Sequence, residues 1–262
     1  MVEYYNKDNK ILTIPHSFNS LLKDIPEETE TIIFSENISY TYSKFNQSVD
    51  NLPENLTHLT FGYCFNQSVD NLPENLTHLT FGYCFNQPVD NLPKNLTHLA
   101  FGYEFNKRVD NLPETLTHLT FDYYFNQPVD NLPENITHLT FVEFFNQSVD
   151  NLPETLTHLS FGWNFNQPVD NLPKNIVKLK IINKNNNFII PEKVKELYIL
   201  NNNKLINNLP EYIEKLFIIF NDSKKIENLP ITIKEIIIDS EKYIKYIKIP
   251  FETKITIKNI II

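Results

Sequence analysis

Six histidines, His58, His78, His98, His118, His138 and His158, return at intervals of twenty residues, each inside Thr-His-Leu followed by Thr, Ala or Ser. Imidazole titrates near neutrality and is a common metal ligand, so the column raises metal binding and pH sensing as chemistries. Seven aspartates keep the same interval: Asp50, Asp70, Asp90, Asp110, Asp130, Asp150 and Asp170. Stacked carboxylates could share hard cations. Cys64 and Cys84 form a third, shorter column. Catalysis and tight metal binding need unlike groups converging on one point. Groups that come as equivalents offer a surface instead. The four glycines make no phosphate loop, and no Ser-His-Asp or Cys-His set stands apart from the repeat. We therefore expect no catalytic residue, no cofactor and no metal site. The alternative is a metal- or carbohydrate-binding protein that uses the His or Asp ladder.

The frame that positions these columns is the repeat itself. FNQSVDNLPENLTHLTFGYC occurs letter for letter at residues 45–64 and 65–84, and Phe-Asn then returns at Phe85, Phe105, Phe125, Phe145 and Phe165. A Leu-Pro pair follows each time, from Pro53 to Pro173, and the prolines continue at Pro191, Pro210, Pro230 and Pro250. Upstream, FNSLLKDIPEETETIIF around Pro26 fits the same template, with an insertion before Phe45. The count is about twelve turns.

Within one turn, Leu56, Leu59, Phe61, Phe65, Val69 and Leu72 are spaced 3, 2, 4, 4 and 3 apart, which is neither a helical stripe nor a long strand. Only Leu59-x-Phe61 alternates, so a short strand is expected over Thr57–Phe61 with those two side chains inward. A twenty-residue coil cannot bury its apolar side alone, but stacked on its neighbours it can. Paired prolines such as Pro88 and Pro93 argue against a helical return path. The fold class expected is a leucine-rich-repeat-like solenoid with one short parallel strand per turn and an extended or irregular return side. Residues 1–44 read as an N-terminal cap and first degenerate turn, 45–176 as near-identical repeats, and 177–262 as degenerate turns with a C-terminal cap near Ile255–Ile262.

Strand alternation sets each histidine outward, beside a column of Thr60, Thr80, Ala100, Thr120, Thr140 and Ser160, with Tyr63, Tyr83, Tyr103, Tyr123 and Trp163 at the margin. A flat, polar, aromatic-edged face suits a protein partner, because Tyr and Trp are favoured anchors. The Phe65 column is core. The Asn66 and Asn71 columns are expected to satisfy backbone groups of the turns, and the Asp column to be a solvated edge. Gly62, Gly82, Gly102 and Gly162 share a column that also holds Asp122 and Val142, so space rather than handedness explains it. The cysteines are expected to be reduced.

Composition excludes further classes. Residues 1–176 carry 8 Lys+Arg against 22 Asp+Glu, and residues 177–262 carry 15 against 10. The long acidic part lacks the basic stripe that nucleic acid requires. No apolar stretch is long enough for a membrane span, and the first residues do not read as a signal peptide, so an intracellular, cytoplasmic location is expected. The Asn-Leu-Thr and Asn-Gln-Ser triplets are then by-products of the repeat rather than glycan sites.

LPENLTHLTFGYCFNQ, read as LP-x-x-L-x-x-L-x-F followed by Phe-Asn, resembles the FNIP repeats. These are relatives of leucine-rich repeats known from social amoebae and from large viruses that infect amoebae. The resemblance is strong over residues 45–176 and weak over 14–34 and 189–257, where VKELYILNNNKLINNLP is closer to ordinary leucine-rich repeats. No unit reads Phe-Asn-Ile-Pro; Phe-Asn-Gln-Ser-Val and Phe-Asn-Gln-Pro-Val stand there instead. Some members carry an N-terminal F-box, and residues 1–44 show no three-helix pattern that could be one. The resemblance implies a protein-binding scaffold, with a substrate-recognition module as the finer form of that expectation.

Overall fold

The computed structural model describes residues 4–35, 42–182, 189–200 and 204–258. Two compact units result, residues 1–136 and 137–262. The expected insertion before Phe45 falls mostly on residues 36–41, and the end of the expected C-terminal cap on 259–262; both lie outside the described residues.

The first unit holds seven strands: β1 (Tyr5–Asn6), β2 (Ile11–Ile14), β3 (Thr31–Phe34), β4 (His58–Thr60), β5 (His78–Thr80), β6 (His98–Ala100) and β7 (His118–Phe121). Strands β2 to β7 pair in parallel and in chain order, whereas β1 folds back antiparallel on β2 through a turn in which Lys10 takes a φ of 55°. That hairpin covers the first parallel edge. The second unit repeats the plan with β8 (His138–Phe141), β9 (His158–Phe161), β10 (Lys178–Ile181), β11 (Glu196–Leu200), β12 (Lys215–Ile219), β13 (Glu235–Ile238) and β14 (Lys254–Ile257), all parallel and in order. Each unit is a leucine-rich-repeat-like solenoid. Helix among the described residues is limited to short 3-10 segments, Lys204–Asn207 and Glu241–Tyr246, so the return side is non-helical as expected.

The register stacks like on like: His58, Leu59 and Thr60 face His78, Leu79 and Thr80. The strand is shorter than the sequence suggests, beginning at His58 rather than Thr57, because the Thr77 and His78 amides both turn to the Thr57 carbonyl (2.9 and 3.0 Å). All six apolar positions of the unit are buried, from Leu56 to Leu72, and complete burial of such a side chain is worth about 1.5–3 kcal/mol. The phenylalanines form two columns. Phe61 lies 3.7 Å from Phe65 in its own turn and 5.6 Å from Phe81 in the next, and Phe65 lies 6.1 Å from Phe85.

Proline closes each turn at a fixed place. The Pro53 carbonyl accepts from Leu56 N–H (3.1 Å), and the same bond recurs at Pro73, Pro93 and Pro113 and, in the second unit, at Pro191, Pro210, Pro230 and Pro250. Proline fits where its missing N–H is not called on by a ladder. The Phe-Asn pair has an equally local cause. Asn46 Oδ1 accepts from the Asn66 backbone N–H (2.9 Å) and from Gln67 Nε2 (3.0 Å), and Asn66 Oδ1 does the same for Asn86 and Gln87. One side chain thereby satisfies a backbone donor that has no sheet to join.

The glycine column is a matter of space. A Cβ on Gly82 would sit 2.1 Å from the Gly62 carbonyl oxygen, one on Gly102 would sit 2.0 Å from that of Gly82, and no glycine has positive φ. In the second unit the register puts Ile182, Leu200 and Ile219 in this column, all buried, and β11 and β12 lengthen to five residues to carry them.

Candidate functional site

The outward side of the strands carries the predicted columns. In the first unit the imidazoles of His58, His78, His98 and His118 stack at 4.2 Å, their planes 12–14° apart. In the second, His138 and His158 stack at 4.1 Å. This is closer than the strand spacing of about 4.8 Å, so the rings lean into one another. Thr60 and Thr120 in the first unit and Thr140 and Ser160 in the second are half-buried, and Thr80 is exposed.

The preceding threonine, which the sequence reading did not single out, fixes the rings. Thr77 Oγ1 donates to the Thr57 carbonyl (3.1 Å) and lies 2.9 Å from His78 Nδ1; Thr97 repeats this with the Thr77 carbonyl and His98. A hydroxyl has one proton. With that proton on the carbonyl, the threonine oxygen accepts from Nδ1–H, which assigns the neutral ring its Nδ1 tautomer and leaves Nε2 as the basic nitrogen. Burial, followed by the neighbouring imidazoles, holds His78 below its ordinary value, and burial holds His98 there too. The signal was present in every Thr-His pair but means nothing until parallel register is known.

Tyr63, Tyr83, Tyr103 and Tyr123 stack at 4.3–4.5 Å in the first unit, and Tyr42 extends the column. Burial and the neighbouring phenols raise the Tyr103 hydroxyl. Trp163 is placed differently. It packs against the Ile182, Leu200 and Ile219 cluster, so part of its ring is committed to covering that satellite core.

Aspartate and asparagine columns interleave. Asn71 Nδ2 donates to Asp50 Oδ1 (3.0 Å), Asn91 to Asp70 (3.1 Å), Asn111 to Asp90 (3.0 Å) and Asn131 to Asp110 (3.2 Å); in the second unit Asn171 donates to Asp150 (3.0 Å). Each carboxylate thus meets an amide from the next turn. Hydrogen bonds from Ser48 and Asn71 lower the Asp50 carboxyl. The Asn71 column therefore serves carboxylates, not the backbone groups expected for it. Among the described residues no three His, Cys, Asp or Glu side chains gather in a metal-holding group. Cys64 and Cys84 are free thiols, half-buried, and burial followed by Glu104 raises the latter.

Beyond His158 the outward positions of the second unit change character. The histidine column continues as Lys178, Glu196, Lys215, Glu235 and Lys254, with successive N···O distances of 4.0, 4.0, 3.5 and 3.6 Å. A second strip runs Lys195, Glu214, Lys234, at 3.3 and 2.5 Å. Opposite charges directly across a parallel sheet attract where like charges would repel. The same rule acts at Lys10 and Glu30 in the first unit. No helix among the described residues is long and apolar enough to cross a membrane.

The FNIP Repeat family model matches residues 45–84, 66–103, 85–124, 108–144 and 145–184, together 140 of the 262 residues. Among solved structures, the giant-virus protein CroV588, described as a novel circular LRR protein structure, superposes with a TM-score of 0.64 at 30% identity. The match covers 93% of this chain and 41% of that one, so the chain spans well under half of the viral protein's length. YopM from Yersinia enterocolitica WA-314 is 16% identical with a TM-score of 0.45, over 90% of this chain and 61% of its own. No curated protein matches the sequence.

Proposed function

The chain belongs to the FNIP-repeat family, and on that premise we propose that it is a non-enzymatic scaffold that recognises a protein partner through the outward face of its strands. The observation that carries this reading is the ring stack: His58 to His118 at 4.2 Å, flanked by the threonine column and by the tyrosines at 4.3–4.5 Å. Held by their neighbours, these side chains have little rotamer freedom left to lose on docking, which removes one of the entropic costs of forming an interface. The proposed contact residues are His58, His78, His98, His118, Thr60, Thr80, Thr120 and Tyr63 to Tyr123 in the first unit. In the second they are His138, His158 and Thr140, with Trp163 at the margin. Residues 1–44 and the turns near Lys254 and Lys258 serve in this proposal as caps, and the expected intracellular setting is retained. A substrate-recognition role is the finer form of the same reading.

The test is affinity capture from the native host with the whole chain and with a His98→Glu/His118→Glu variant whose melting curve matches wild type. Loss of a direct partner in the variant, with metal content unchanged, supports the face. Partners retained by the variant, or zinc lost with the histidines, would sink it.

A further inference from the structure

In the second unit β10 offers two lysines on the outward face, and they differ in what surrounds them. Lys178 stands between His158 and Glu196 in register, 4.0 Å from the Glu196 carboxylate and 5.2 Å from the centre of the Tyr198 ring. Lys180 stands between Ser160 and Tyr198, neither of which carries a charge. Among the described residues no hydrogen bond or ion pair reaches its ammonium group. Each lysine in the two charge strips, by contrast, has a carboxylate within 4.0 Å. Lys180 is half-buried, and burial alone lowers its basicity, with no carboxylate acting against it.

The lysine opens into a shallow cavity of about 290 Å³, lined by His138, His158, Ser160, Lys178, Lys180 and Tyr198. A half-desolvated cation without a counter-ion is costly, and a ligand anion would recover that cost. We propose that this cavity seats an aspartate or glutamate carboxylate of the protein partner, with Lys180 as the charged anchor and the Ser160 and Tyr198 hydroxyls as flanking donors. The proposal rests on the recognition reading above and adds the chemistry of the partner to it.

Charge counting favours a carboxylate over a phosphate. One uncompensated ammonium matches a monoanion, whereas a phosphate carries closer to two charges and is usually held by several cations or an Arg fork. Lys178 is already shared with Glu196, and the single arginine of the chain, Arg108, belongs to the first unit. The surroundings suit an acidic segment, since residues 177–262 carry 15 Lys+Arg against 10 Asp+Glu.

Random-peptide display on the whole chain tests this, with Lys180→Met, Lys180→Arg and His98→Glu/His118→Glu as parallel targets and melting curves to confirm that each is folded. Peptides recovered on wild type are expected to be rich in Asp and Glu, to bind the Met variant at least about tenfold more weakly, and to recover on the Arg variant. Peptides that depend on the histidine face but show no acidic preference and tolerate Lys180→Met would overturn the carboxylate site and leave the face reading standing. Peptides indifferent to both variants, or none at all, would overturn both. Displacement by inorganic phosphate or a single-stranded oligonucleotide more readily than by glutarate would assign the cavity to phosphate and overturn the proposal as well.

Discussion

The imidazole of His78 lies flat on that of His58, 4.2 Å between ring centres and 14° between planes. Two neutral rings can share that spacing; two imidazolium ions repel across it. His78 and His98 are held below the ordinary histidine value of 6.5, first by burial. The unfolded chain, with unperturbed imidazoles, binds protons more readily than the folded one in this range. Stability from this source is therefore complete above 6.5 and is lost as the pH falls through the depressed values. Melting curves at about pH 7.5 and about pH 5.5 should show a lower Tm at the acid end, and a His78→Gln/His98→Gln variant should flatten the difference. The depressed carboxyls of Asp50, Asp110, Glu214 and Glu235 act only below 3.8–4.5, so they do not confuse this window.

Phe105 has no exposed surface and stacks on Phe85 and Phe125 at 6.0 Å and on Phe101 at 3.7 Å. Phe105→Ala should cost about 3–5 kcal/mol in denaturant unfolding, because it removes a fully buried ring from among the stacked rings of Phe85, Phe101, Phe121 and Phe125. An unchanged unfolding midpoint would remove this column from the core.

Gly82→Ala should destabilise by about 1–3 kcal/mol, since the new methyl meets the Gly62 carbonyl at 2.1 Å and backbone must move. The usual gain from replacing glycine in a position of negative φ is expected to be outweighed here. A variant as stable as wild type would show that the stack yields at this place.

Asn66→Ala should leave the Asn86 N–H and the Gln87 amide without their shared acceptor, at a cost of about 1–3 kcal/mol. Asn66→Asp keeps an oxygen in the same place and should recover most of the loss in the same urea titration. Equal loss from both substitutions would mean that the acceptor is not what matters.

The period and the inward side chains were legible because burial repeats with the turn: Leu59, Phe61 and Phe65 needed no structure to be recognised as core. So was the glycine column, since Val142 in the same place ruled out positive φ. What the sequence hides is cross-turn chemistry. Lys178, Glu196, Lys215, Glu235 and Lys254 are spaced 18, 19, 20 and 19 apart, so no fixed period aligns them; only the strand register shows that the signs alternate. Lys180 stands out only once every neighbouring lysine is seen to be matched. Trp163 carries a second role that spacing does not show. It occupies the tyrosine column by spacing, but the next turn replaces glycine with Ile182 and gives the indole something to cover.

The asparagine bond that joins Asn66 to Asn46 reaches one turn and no further, as do the ring stacks and the proline turns. A segment of twenty residues inserted after Cys64 would present to each neighbour the contacts that neighbour already makes, and removal of residues 65–84 would leave the two new neighbours equally well matched. Length in the first unit is thus a quantity that can change in whole turns of twenty residues without inventing an interface.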